Sequence, residues 1–132
     1  RDVTQCDSLE VLLSSADVIA PCVHLDKDTF HMMNKSTFSL MKEGSYFINT
    51  SRGDVVNEDD LIECLKSGKI LAAGVDVISD EYLGDKDIHP LINYMKTNNN
   101  LIITPHMAGL TFDSERKAQT AAYEAIEKCL GE

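Results

Sequence analysis

Short apolar runs alternate along the chain with segments of helical spacing. Residues 17–22 (DVIAPC), 46–49 (YFIN), 71–77 (LAAGVDV) and 101–104 (LIIT) are nearly continuous apolar runs. Such runs suit strands covered on both faces better than half-wet antiparallel strands. Between them, residues 8–14 (SLEVLLS) carry Leu9, Leu12 and Leu13, and residues 36–42 (STFSLMK) set Phe38 and Met41 three apart. The clearest helical signal is Glu58–Ser67, where Leu61, Ile62 and Leu65 form one stripe. Asn57 can cap that helix, acidic residues fill its first turn, and Gly68 ends it. A last helix is expected over Phe112–Leu130.

The alternation predicts an α/β fold: a parallel, Rossmann-like sheet in three layers, α/β/α, with right-handed crossovers. Sheets of this kind bind ligands beyond the carboxyl ends of their strands. That rule selects Val23 and His24, residues 50–53, residues 76–81 and residues 105–109. The long polar stretch 79–100 is expected to fold over the site as a loop plus a short helix. Composition narrows the picture further. The 132 residues form one domain-sized unit, 43% hydrophobic, with 22 acidic against 12 basic side chains and a net charge of −10. That charge argues against binding to nucleic acid or to an anionic membrane surface. No apolar run reaches the roughly 18 residues that a membrane helix needs, and no leader pattern opens the chain. Cys6, Cys22, Cys64 and Cys129 include no close pair, which fits neither a disulfide scaffold nor a metal ribbon. No metal site is expected, and a reducing, cytoplasmic compartment is the default.

Three strand ends carry candidate chemistry. The second run leads into Asn49-Thr50-Ser51-Arg52-Gly53, where Arg52 offers a planar fork for a carboxylate, or serves as a surface arginine paired with an acid. The third leads through Asp76, a carboxylate inside an apolar run that requires donors, to Glu81, which either lies over the rim or faces water. The fourth ends in Thr104-Pro105-His106, where His106 can act as a general acid or base, or as a capping residue. His24, His31 and His89 are expected to be exposed. Together, Arg52, Glu81 and His106 follow three successive strands and could converge on one rim. An anion fork, a base and a carboxylate to orient it are what hydride transfer to or from a 2-hydroxy acid requires.

The blocks SADVIAPCVHLDKDTFHMMN, MKEGSYFINTSRGDVVNEDDLIECLKSGKI, AAGVDVISDE and NLIITPHMAG resemble the later half of the NAD-binding domain of D-isomer-specific 2-hydroxyacid dehydrogenases. The resemblance covers about residues 8–125. It implies that Arg52 clamps the substrate carboxylate, that His106 exchanges the proton of the substrate hydroxyl, and that Glu81 holds the other ring nitrogen of His106. Asp80 is the alternative to Glu81. Asp76 would lie beside the nicotinamide carboxamide. Thr50, Ser51, Ala108 and Gly109 would line the nicotinamide pocket, with Cys22 and Val23 near the ribose. NAD is the implied cofactor, with NADP open, and a small 2-hydroxy or 2-keto acid the implied substrate of a homodimeric enzyme.

The chain departs from the family pattern in lacking the Gly-x-Gly-x-x-Gly turn and the residue that follows it to select NAD or NADP. Cys22 and His24 stand where the family commonly has His and Pro. The expectation is therefore a carboxyl-terminal part, residues 1–132, of a longer cofactor domain, weak in dinucleotide binding by itself. Residues 111–132 would return to an absent substrate domain. Two other readings stay open: a dehydrogenase-like, NAD-sensing module that docks protein partners, and a signalling receiver. The receiver requires an acidic pair after the first strand, where Val23-His24-Leu25 stands instead.

Overall fold

In a computed structural model, residues 3–81, 89–107 and 109–131 are described. Four parallel strands, β1 (Val18–Ile19), β2 (Ser45–Asn49), β3 (Ile70–Val75) and β4 (Leu101–Ile103), lie in sequential order. The helices are α1 (Leu9–Ser15), α2 (Lys35–Leu40), α3 (Glu58–Ser67), α4 (Pro90–Met95) and α5 (Phe112–Leu130), with a 3₁₀ turn at Gly53–Val55. This is the parallel α/β, Rossmann-like fold expected from the segment order. Helices α3 and α5 have the expected bounds. Asn57 caps α3 by accepting from the Asp60 N–H at 3.2 Å, and Gly68 ends it at φ +80°. The short helix expected within 79–100 is α4.

The second strand ends at Asn49 as expected, and the other three end earlier than the apolar pattern suggests. Only Val18 and Ile19 pair with β2, through Tyr46 and Phe47. Pro21 follows two residues later and has no N–H to extend a ladder. The β3 ladder closes at Val75, although the Asp76 N–H still donates to the Asn49 carbonyl at 2.9 Å. Helix α2 stops at Leu40 because Met41 turns to extended backbone and buries its side chain.

Helices α1 to α4 form a row in which each packs on the next. Beneath them lies the core: Leu13, Phe38, Met41, Phe47, Leu61, Leu65, Ile70, Leu91 and Leu101 are all buried. Phe38 meets Phe47 edge-on at 5.2 Å between ring centres. On alternate strand positions, Val18, Tyr46, Ile48, Leu71 and Ile102 remain between 41% and 66% exposed. The continuous runs do encode two apolar faces, but the described helices cover one of them. Helix α5 covers neither, since none of its residues is buried. Among the described residues, no helix is long and apolar enough to cross a membrane.

Candidate active site

The β2 strand end is built around Asn49, a buried residue whose role the sequence reading missed. Its side-chain oxygen accepts from the Ser51 N–H at 3.0 Å and the Ser51 hydroxyl at 2.8 Å. Its amide donates to the Arg52 carbonyl at 2.9 Å. One amide thus folds residues 49–52 into a fixed turn, leaving Thr50 and Arg52 exposed and Ser51 buried. An asparagine followed two residues on by serine carries this turn signal. The Arg52 guanidinium donates to the Ser51 carbonyl at 2.6 Å, which uses one of its five N–H groups. Pro21, Cys22, Val23, His24, Thr50, Ser51 and Arg52 line a cleft of about 260 Å³ beyond the ends of β1 and β2.

Gly53 is required by close approach. A Cβ there would lie 2.1 Å from the Ile78 carbonyl carbon and 2.3 Å from the Ser79 nitrogen. The turn after β2 therefore sits directly on the segment that leads from β3 to Glu81.

Asp76 is buried, and its carboxylate has the donors that a buried charge demands. The Thr104 hydroxyl donates to its Oδ1, and the Met107 N–H donates to the same oxygen at 3.1 Å. The same carboxylate thus ties the end of β3 to the residues on either side of His106. The Thr104 N–H returns to the Val75 carbonyl at 2.9 Å, so the β4 end is held from both directions.

His106 and Glu81 meet: Nδ1 stands 2.7 Å from Glu81 Oε1. An ionised carboxylate only accepts, so Nδ1 is the nitrogen that donates to Glu81. The pair is half-buried, with the His106 side chain 38% exposed and that of Glu81 19% exposed. His106 itself, at φ +51°, and Asp80, the residue before Glu81, at φ +52°, hold left-handed backbone. Non-glycine residues seldom hold that conformation, and it concentrates at functional sites. Asp80, the alternative to Glu81, is exposed. Asp76, Ile78, Glu81, Ile92, Met95, Ile103, Thr104, Pro105 and His106 enclose a cavity of about 300 Å³.

Arg52, Glu81 and His106 all follow the carboxyl ends of adjacent parallel strands, as expected. The structure brings Glu81 and His106 into contact, whereas Arg52 opens on the neighbouring cleft. Gly109 is exposed, and Ala108 lies outside the described residues. Two histidine expectations need correction. His31 is half-buried and stacks on Phe30 at 4.0 Å. The His89 side chain is only 12% exposed, and its Nε2 pairs with Glu58 Oε2 at 3.2 Å. Its ring also lies 3.1 Å from the Ser79 carbonyl oxygen, so contacts distant in sequence hold it inward. Burial pushes the Glu58 carboxyl above its ordinary range, against the opposing pull of the Ser79 N–H and His89. Among the described residues no cluster could hold a metal ion.

Residues 1–108 match the family described as D-isomer specific 2-hydroxyacid dehydrogenase, NAD binding domain. The chain belongs to this family. It is 41% identical over 116 residues to a D-2-hydroxyacid dehydrogenase (NAD(+)) of Clostridioides difficile, covering 83% of the chain and 35% of that protein. It is 46% identical over 100 residues to a human glyoxylate reductase/hydroxypyruvate reductase, covering 76% of the chain and 29% of that enzyme. In three dimensions it is similar to a D-lactate dehydrogenase of Aquifex aeolicus solved with NAD and lactic acid. That similarity has a TM-score of 0.75 at 32% identity and covers 98% of this chain and 45% of the other. The chain thus spans about a third of the length of these curated relatives. The family's NAD-binding domain supplies the setting in which the strand-end residues are to be read.

Proposed function

We propose that this chain is the carboxyl-terminal part of the cofactor domain of an NAD-dependent dehydrogenase acting on a small D-2-hydroxy acid or 2-keto acid. The observation that carries the reading is the His106–Glu81 pair at 2.7 Å on the rim of a parallel sheet. In this reading Glu81 fixes the ring and its tautomer, and Nε2 of His106 takes the proton of the substrate hydroxyl or returns it to the keto oxygen. Arg52, fixed at its backbone by Asn49, binds the substrate carboxylate through its remaining N–H groups.

The residues present fit the nicotinamide end of a dinucleotide. Asp76 is a fixed carboxylate at a strand end, which can accept from a carboxamide. The adjoining cleft, with Cys22, Val23, Thr50 and Ser51, accommodates a ribose edge, and Ala108 and Gly109 follow His106 in the chain. When bound, NAD or NADP supplies the acceptor for the two electrons lost by the hydroxy acid. The chain itself orients the substrate, moves the proton and lines one wall of the site.

The whole protein is read as a cytoplasmic homodimer. Four cysteines, none in a disulfide, fit a reducing compartment, and the uncovered apolar sheet face is surface that association could bury. The test is NADH oxidation by the intact protein with glyoxylate, hydroxypyruvate and pyruvate. Turnover of one of them is expected. Dinucleotide binding with no turnover of any would support a sensing module instead.

A further inference from the structure

We propose that Glu58 and His89 form a positioning clamp that sets Glu81 against His106, a role that rests on the catalytic reading of that pair. Glu58 Oε1 accepts the Ser79 N–H at 2.7 Å, and Glu58 Oε2 lies 3.2 Å from His89 Nε2. The same Nε2 lies 3.1 Å from the Ser79 carbonyl oxygen. Both partners of Nε2 are acceptors, so Nε2 carries the proton and shares it between them. The two side chains therefore hold the N–H and the carbonyl of one residue, Ser79, two positions before Glu81.

The grip has a backstop. Gly53 presses against the Ile78–Ser79 peptide so closely that a Cβ would overlap it. The peptide is thus pinned between the turn after β2 and the Glu58–His89 pair. These two side chains are 11% and 12% exposed, so water competes little for their hydrogen bonds. Immediately beyond, Asp80 takes left-handed backbone and Glu81 reaches His106. The segment carrying Glu81 has left the ladder, and the clamp replaces strand pairing as its anchor. Glu58 begins α3 and His89 precedes α4, so the pair also ties the site to the helical layer.

The clamp is tested by NMR on the protein in four forms: wild type, Glu58→Ala, His89→Ala, and Glu63→Gln as an exposed control on α3. The signals to follow are the Ser79 amide and the Nδ1 proton of His106. Either alanine variant should move the Ser79 amide upfield and broaden or abolish the His106 Nδ1 signal, while Glu63→Gln changes neither. Glu58→Gln, which keeps an acceptor for Ser79, should retain the His106 signal. In the intact enzyme, Glu58→Ala should lower kcat about tenfold or more while the KM for NADH changes less than twofold. A folded Glu58→Ala or His89→Ala protein with an unchanged His106 Nδ1 signal would overturn the clamp. If Glu58→Ala fails to fold, His89→Ala decides. An intact clamp in a protein that turns over no 2-keto acid would instead sink the catalytic reading and leave the clamp standing.

Discussion

The two faces of the sheet are made of the same kinds of residue and have different fates. On one face Phe47, Ile70 and Leu101 are buried under the helical row. On the other, Tyr46, Ile48, Leu71 and Ile102 are exposed. Local sequence makes a strand apolar on both sides, but only a second layer can make both sides dry. The helices repeat the lesson. Helix α3 is capped by Asn57 and buries Leu61, Ile62 and Leu65. Helix α5 is as well capped, with Thr111 and Ser114 bonding reciprocally, yet it buries nothing, and Phe112 is 94% exposed. Caps mark where a helix begins and ends, and the available surface decides what it buries.

Core substitutions should separate the faces most strongly. Phe47→Ala should cost about 3–5 kcal/mol of folding stability through lost burial and the cavity left beside Phe38. Ile48→Ala, one residue away on the uncovered face, should cost less than about 1 kcal/mol. Urea titration of the two variants checks this, and equal losses would mean that the second face is also packed. Next in size is Asn49→Ala, which strips Ser51 and Arg52 of their turn bonds. A cost of about 1–3 kcal/mol is expected, with a higher KM for the keto acid from displacement of Arg52.

The pH dependence of Glu58 sharpens the contrast between buried and exposed acids. Burial raises its native pKa above the unfolded value. Its favourable contribution is therefore complete below the unfolded pKa and is lost as pH rises through the native one. Glu58→Gln lacks that loss, so its stability relative to wild type should rise as pH climbs above the ordinary glutamate range. Denaturant titrations across that rise in pH check the sign, and a falling difference would contradict it. The smallest effect concerns thiols. Burial pushes the Cys64 thiol up, with Asp60 and Glu63 adding to the shift, whereas Cys22 and Cys129 are exposed. Iodoacetamide near neutral pH should label Cys22 and Cys129 well before Cys64, as peptide mass spectrometry would show.

Much of the site could be read from the chain because its chemistry sits at strand ends, where the sequence announces it. His106 follows Thr104-Pro105, Arg52 lies in a turn of small residues after a strand, and Asp76 interrupts an apolar run and therefore requires donors. Thr104 and Met107 supply them. What escaped the reading depends on contacts distant in sequence. His89 looks like a loop residue, and only the meeting of α3 with the segment after β3 shows that it is buried against Glu58. Gly53 looks like a turn glycine until Ile78 arrives behind it. The uncovered sheet face escaped for the opposite reason. The strand sequence carries the apolar pattern for a second layer, and no local signal says whether the layer is there.

The central claim is that His106, held by Glu81, moves the substrate proton. The most direct measurement is steady-state NADH oxidation with a 2-keto acid by the intact protein, wild type against His106→Asn, with NADH affinity measured in parallel. The account predicts that kcat falls by about 10²-fold or more while NADH affinity stays within a few-fold. A His106→Asn enzyme with wild-type kcat would contradict it.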